Sequence, residues 1–147
     1  MMNEGTAPDK KQIETLIDTA LEQRSLAYAP YSGYRVGAAL LASDGKIYTG
    51  CNIENAAYTP SVCAERTAFF KAVSEGHTSF TAIAVTGGMD RKAEDFCTPC
   101  GVCRQVMNEF CDPETFLVIS AVSPDHYRIY TLKELLPYGF GPDNLKN

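Results

Sequence analysis

The sequence predicts a layered α/β/α domain around a mixed central sheet of about five strands, and three observations lead there. Apolar residues recur at helical spacing in several separated stretches; short apolar runs lie between them; and Ser43-Asp44-Gly45-Lys46 joins two of those runs as a hairpin turn. Alternating helices and strands imply layers, and a hairpin makes at least one strand pair antiparallel. With 147 residues and 45% hydrophobic content, the chain can build one domain over 1–147, with residues 1–8 expected to fray.

Taken in order, Asp9 caps a helix with Gln12 three residues on, and Ile13, Leu16, Ile17, Ala20 and Leu21 form its apolar side. The helix runs out before Ala27 to Pro30, and Tyr31-Ser32-Gly33-Tyr34 reads as a loop. Val36 to Ala42 is a buried strand and Ile47 to Asn52 its antiparallel return. Asn52 to Pro60 has no periodicity and leads into a second helix, with Ser61 as its expected cap and Gly76 as its stop. Thr81 to Thr86 is a third strand, and Gly87 to Cys97 a charged loop. A third helix is expected after Thr98 as cap, with Pro99 as its first residue. Phe116 to Ile119 and Tyr127 to Tyr130 complete the strands, and Thr131 with Glu134 opens a short helix that Pro137 ends.

Charge and composition exclude several functions. The net charge is −5, from 13 basic and 18 acidic residues, and the basic residues are scattered, so no nucleic-acid partner is expected. The longest apolar run, Val36 to Ala42, is far below the roughly 18 residues of a spanning helix, so no membrane partner is expected. Met1 to Lys11 is polar and unlike a secretory signal, which points to the cytoplasm. In that compartment the six cysteines are expected to be metal ligands or free thiols rather than disulfides.

Three of them are spaced for chemistry. Cys63 stands two residues before Glu65, and Cys100 and Cys103 lie three apart at a second helix start, where both sulfurs can reach one ion. Three thiolates on zinc leave a fourth position for water, which is the catalytic arrangement; four protein ligands make a closed structural site, and Cys97 is a candidate fourth. Helix N-termini stabilise thiolates. Arg66 is placed to moderate their charge, with Arg104 and Gln105 as further candidates. Glu65 suits a proton shuttle beside a metal, although an acidic first-turn residue also complements a helix dipole. A Cys-x-x-Cys pair alone also fits a redox dithiol. Cys51 and Cys111 read as small buried hydrophobes, and His77 and His126, each isolated near an expected loop, as surface residues and not a metal site.

Cys63-Ala64-Glu65 followed by Pro99-Cys100-Gly101-Val102-Cys103 matches the zinc-deaminase pattern. With Ala29-Pro30-Tyr31-Ser32, Val36-Gly37-Ala38-Ala39-Leu40, Asn52-Ile53-Glu54-Asn55-Ala56 and Leu135-Leu136-Pro137 in the same order, the chain resembles the small homotetrameric cytidine deaminases from its first helix to Phe140. The resemblance implies zinc held by Cys63, Cys100 and Cys103, attack of hydroxide at C4 of the pyrimidine, and Glu65 protonating N3 and then the departing amine. It further implies that Asn52 and Glu54 grip ribose hydroxyls, that the Tyr34 ring packs near the base, and that Phe140 reaches a neighbouring subunit's site. Tyr34 departs from the Phe expected there, adding a hydroxyl that needs a partner. The expected activity is deamination of cytidine and deoxycytidine in pyrimidine salvage. A zinc-stapled interaction domain, a dithiol oxidoreductase and a deaminase of a cytosine-bearing antibiotic are the competing readings.

Overall fold

The computed structural model describes residues 6–89, 93 and 96–146. Residues 1–5 of the expected frayed tail and residues 90–92, 94 and 95 of the expected charged loop lie outside them. Helix α1 (Lys10–Arg24) opens with the expected capping box: Gln12 N donates to Asp9 Oδ1 at 2.8 Å and Asp9 N to Gln12 Oε1 at 3.0 Å. Its apolar stripe, Ile13, Leu16, Ile17 and Ala20, is buried.

Strands β1 (Tyr34–Ala42), β2 (Ile47–Cys51), β3 (Phe80–Met89), β4 (Leu117–Ser123) and β5 (His126–Thr131) form one sheet in the order β2-β1-β3-β4-β5. Only β3 and β4 run parallel, because the chain between them crosses over through helix α3 (Gly101–Phe110); the other neighbours are antiparallel. Helix α2 (Ala64–Ser74) lies between β2 and β3 in sequence, and α4 (Leu132–Leu135) follows β5 with the expected Thr131–Glu134 capping box. A 3₁₀ turn over Pro142–Leu145 closes the described chain.

The two-residue period of β1 builds both layers. Ala39 and Leu41 pack with α1 in one core cluster, while Ala38, Leu40 and Ala42 pack with α2 and α3 in the other. Phe69 of α2 anchors that second core, its ring 5.0 Å from that of Phe80 and 6.1 Å from that of Phe116. Two glycines let the helices sit close. A Cβ on Gly37 would collide with the Ala20 carbonyl of α1, and one on Gly50 with the Ala64 carbonyl in the first turn of α2. The start of α2 is thereby seated against β2.

Several element boundaries differ from the sequence reading. Tyr34 belongs to β1, not to the preceding loop, because Tyr34 and Arg35 pair with Met89 and Gly88, and β3 runs three residues beyond Thr86 for the same reason. Gly87-Gly88 has low strand propensity, but a partner backbone on β1 overrides it. His126 opens β5 and is exposed, in keeping with its expected surface position. Neither Ser61 nor Thr98 caps its helix. Ser61 Oγ accepts from Asn55 N at 2.9 Å, Thr98 Oγ1 accepts from Arg104 Nη2 at 3.0 Å, and the N-cap residues are Cys63 and Cys100, neither making a side-chain cap bond.

Candidate active site

The two cysteine caps explain how the site forms. An N-cap residue has extended backbone, so its side chain points off the helix end and is free to face a ligand. Cys63 and Cys100 do this at the starts of α2 and α3. Cys103, in the first turn of α3, occupies the position whose side chain reaches back to the cap in a capping box. The Cys63 sulfur is 3.6 Å from that of Cys100, which is 3.5 Å from that of Cys103, and all three lie within 4.8 Å of one another. Tetrahedral zinc with bonds of about 2.3 Å would hold sulfurs roughly 3.8 Å apart, so the trio fits that ion with little adjustment. Among the described residues this is the cluster able to hold a metal, and Cys97 is outside it.

Electrostatics favour thiolate character at the Cys63 end. The Cys63 thiol is lowered to about 5, chiefly by the hydrogen bond from Cys103, with burial opposing and Arg66 adding to the drop. Cys103, the donor, is pushed up by the same bond. Arg66 Nη2 donates to Cys63 Sγ at 3.4 Å, and that guanidinium is buried enough for its Nε to lack a partner. Arg104 and Gln105 are not at the sulfurs. Arg104 donates to Pro99 O (2.7 Å), Leu135 O (2.6 Å) and Thr98 Oγ1 (3.0 Å), and Gln105 Nε2 donates to Phe140 O at 2.7 Å.

Glu65 is 4% exposed, and burial is the main cause that raises its carboxyl to about 7. It shares the wall of a pocket of about 370 Å³ with Cys63, Cys100, Tyr34, Asn52 and Glu54. Each polar group on the far wall is held. Glu54 accepts from Tyr31 N (2.9 Å), Ser32 N (3.1 Å) and Ser32 Oγ (2.5 Å), bonds that hold its carboxyl below the usual range, with the Ser32 hydroxyl foremost. Asn52 spans the start of β1, accepting from Val36 N and donating to Tyr34 O, both at 2.8 Å. Its side-chain amide has one hydrogen and one lone pair left over.

Phe140 does not line this pocket. It is 57% exposed, and its carbonyl is gripped by Gln105 Nε2 and, at 2.9 Å, Asn108 Nδ2 on the outer side of α3. Sequence reasoning missed Ser32 as the group that fixes Glu54; its place beside Tyr31 in a ring-rich loop gives no hint of a partner 22 residues away. Cys97, the candidate fourth thiol, lines the pocket but lies outside the metal cluster.

Comparison with known proteins agrees with the geometry. The family model for the cytidine and deoxycytidylate deaminase zinc-binding region matches residues 10–119. A cytidine deaminase from Sporosarcina psychrophila is 48% identical over 133 residues, 90% of this chain and 94% of its own. One from Halalkalibacterium halodurans is 45% identical over 134 residues, 91% of this chain and 98% of its own. The crystal structure of the cytidine deaminase from Burkholderia pseudomallei superposes with a TM-score of 0.77 at 44% identity, covering 86% of this chain and 97% of that one. With a matching fold, a three-thiol cluster and relatives this similar over nearly their whole length, this chain belongs to the zinc-binding cytidine and deoxycytidylate deaminase family.

Proposed function

We propose that this chain deaminates cytidine and deoxycytidine hydrolytically to uridine and deoxyuridine, releasing ammonia for pyrimidine salvage, as one catalytic domain. The observation that carries the reading is a buried carboxyl, Glu65, in the wall of a pocket also lined by Cys63 and Cys100, two of the three thiols spaced for zinc. Cys63, Cys100 and Cys103 would hold zinc, which would supply an activated water near neutral pH. Glu65 moves protons: it delivers one to N3 of the base and carries one to the departing amine. A carboxyl raised to about 7 suits both directions of transfer at neutral pH. Arg66 draws charge from the Cys63 sulfur, which restores the acidifying strength that three thiolates would otherwise blunt.

Asn52 and Glu54 bind the sugar hydroxyls with the acceptors and the donor they have left, and the Tyr34 ring lies against the base. A neutral polyol with a planar ring suits such a wall, and a net charge of −5 disfavours a polynucleotide. The exposed Phe140, held from α3 and absent from its own pocket, supports its reaching a neighbouring subunit in a homotetramer. No described helix is long and apolar enough to cross a membrane, and we place the enzyme in the cytoplasm.

A three-thiol cluster without Cys97 disfavours the zinc-stapled domain, and the third thiol disfavours the dithiol oxidoreductase. The test is metal content, cytidine-to-uridine conversion and solution mass of the purified protein. The expected result is about one zinc per chain with conversion by a tetramer. Zinc without conversion, or preference for a cytosine-bearing antibiotic over cytidine, would overturn it.

A further inference from the structure

The loop that carries Asn52 and Glu54 meets the start of α2 through one rung of antiparallel pairing. Ile53 N donates to Val62 O and Val62 N to Ile53 O, both at 3.0 Å, and the next residue, Cys63, caps the helix. In an antiparallel ladder the hydrogen-bonded rung that follows would join Cys51 to Ala64. Ala64 is already the first residue of α2, so the ladder ends, and the Cys51 carbonyl takes a donor from further along the helix. Thr67 supplies it. Its hydroxyl lies 3.1 Å from Cys51 O and 3.2 Å from Cys63 O, a three-centre bond whose acceptors are the last residue of β2 and the cap of α2. Gly50 makes the reach possible: a Cβ there would stand 3.1 Å from Thr67 Cβ and collide with the Ala64 carbonyl.

We propose that Thr67 is a positioning residue for nucleoside binding: its hydroxyl fixes the angle between the strand end that leads to Asn52 and Glu54 and the helix start that carries Cys63 and Glu65. This deepens the proposed function and rests on it. A single rung at Ile53 is a hinge about which two segments swing; a second bond, two residues away at Cys51, removes the swing. A nucleoside that reaches from the sugar-binding residues to Glu65 touches both segments at once, so their angle sets how well it fits. Thr67 is not among the residues that line the pocket, and it acts only through the two carbonyls it holds. A second link between the same elements lies one turn further along α2, where Lys71 Nζ donates to Thr49 O at 2.6 Å. That link is exposed and away from the cap, so it separates seating of the helix as a whole from placement of its start.

Thr67→Val keeps the shape of the side chain and removes the donor. It is expected to raise the Kd of the product uridine, measured by calorimetry on the zinc-loaded protein, about fivefold and to lower kcat/KM for cytidine about tenfold, with zinc affinity in a chelator competition within about twofold of natural. Thr67→Ala, which drops donor and methyl together, should show the same losses. Thr67→Ser keeps the donor and should return both constants to within about twofold of the natural protein. Lys71→Met should leave both unchanged. Four results would overturn the proposal and leave the function standing: a Thr67→Val protein that binds uridine like the natural one, one that loses zinc in step with uridine, a Thr67→Ser protein as impaired as Thr67→Val, or a Lys71→Met protein impaired to the same degree. A natural protein that neither binds uridine nor converts cytidine would overturn the function and the proposal together.

Discussion

The starts of α2 and α3 share one local design and use it differently. Each helix opens on a cysteine N-cap that makes no side-chain cap bond, and each has an arginine within its first turns. At α2 the arginine turns inward: Arg66 donates to Cys63 Sγ and neighbours the buried Glu65. At α3 it turns outward: Arg104 ties the Thr98-Pro99 loop to the end of α4, while Gln105 and Asn108 tie down the Phe140 carbonyl. The same motif thus borders the buried pocket carboxyl at one helix and ties down scaffold at the other. Seating accounts for the difference, since Gly50 lets the first turn of α2 press onto the sheet and bury Ala64 and Glu65.

Substitutions can break this contrast. Glu65→Gln is expected to lower kcat by about 10³-fold or more with zinc retained, as loss of a general acid–base with unchanged ligands requires. Conversion at the natural rate would remove Glu65 from the chemistry. Arg66→Gln should weaken zinc about 10- to 100-fold in a chelator competition while shifting Tm little, because it acts through a ligand sulfur. Arg104→Ala should do the reverse. Losing three donor contacts of a cation costs about 2 kcal/mol of stability in urea unfolding, with kcat of the folded fraction near natural. If Arg104→Ala instead lowered kcat without lowering stability, the division of labour between the helices would fail. The smallest effect is expected for Asn108→Ala, about 1 kcal/mol, since Gln105 still holds the Phe140 carbonyl.

Legibility in the sequence tracks the range of the forces involved. The α1 and α4 capping boxes, the hairpin turn and the Cys-x-x-Cys pair are local patterns, and all are present. The thiol trio is legible because Cys63-Ala64-Glu65 and Pro99 to Cys103 form a motif with a chemical purpose. The helix caps are misread since Ser61 and Thr98 satisfy the usual rule for oxygen caps, while the cap cysteines turn their sulfurs toward each other and not to the backbone. The destinations of Arg104, Gln105 and Ser32 are not legible because each bond spans residues that only the tertiary fold brings together, 31 positions apart for Arg104 and Leu135.

The sheet order carries a consequence for the order of events in folding. Cys63 and Cys100 are 37 residues apart, and β3 lies between them in sequence and at the centre of the sheet. Closing so long a loop in an unfolded chain costs roughly 3 kcal/mol of entropy beyond a constant penalty, so zinc gathers its ligands poorly before the sheet exists. Once β3 has docked between β1 and β4, both helix starts are already facing each other. A metal bound by this trio would therefore enter a cradle that the sheet has already built.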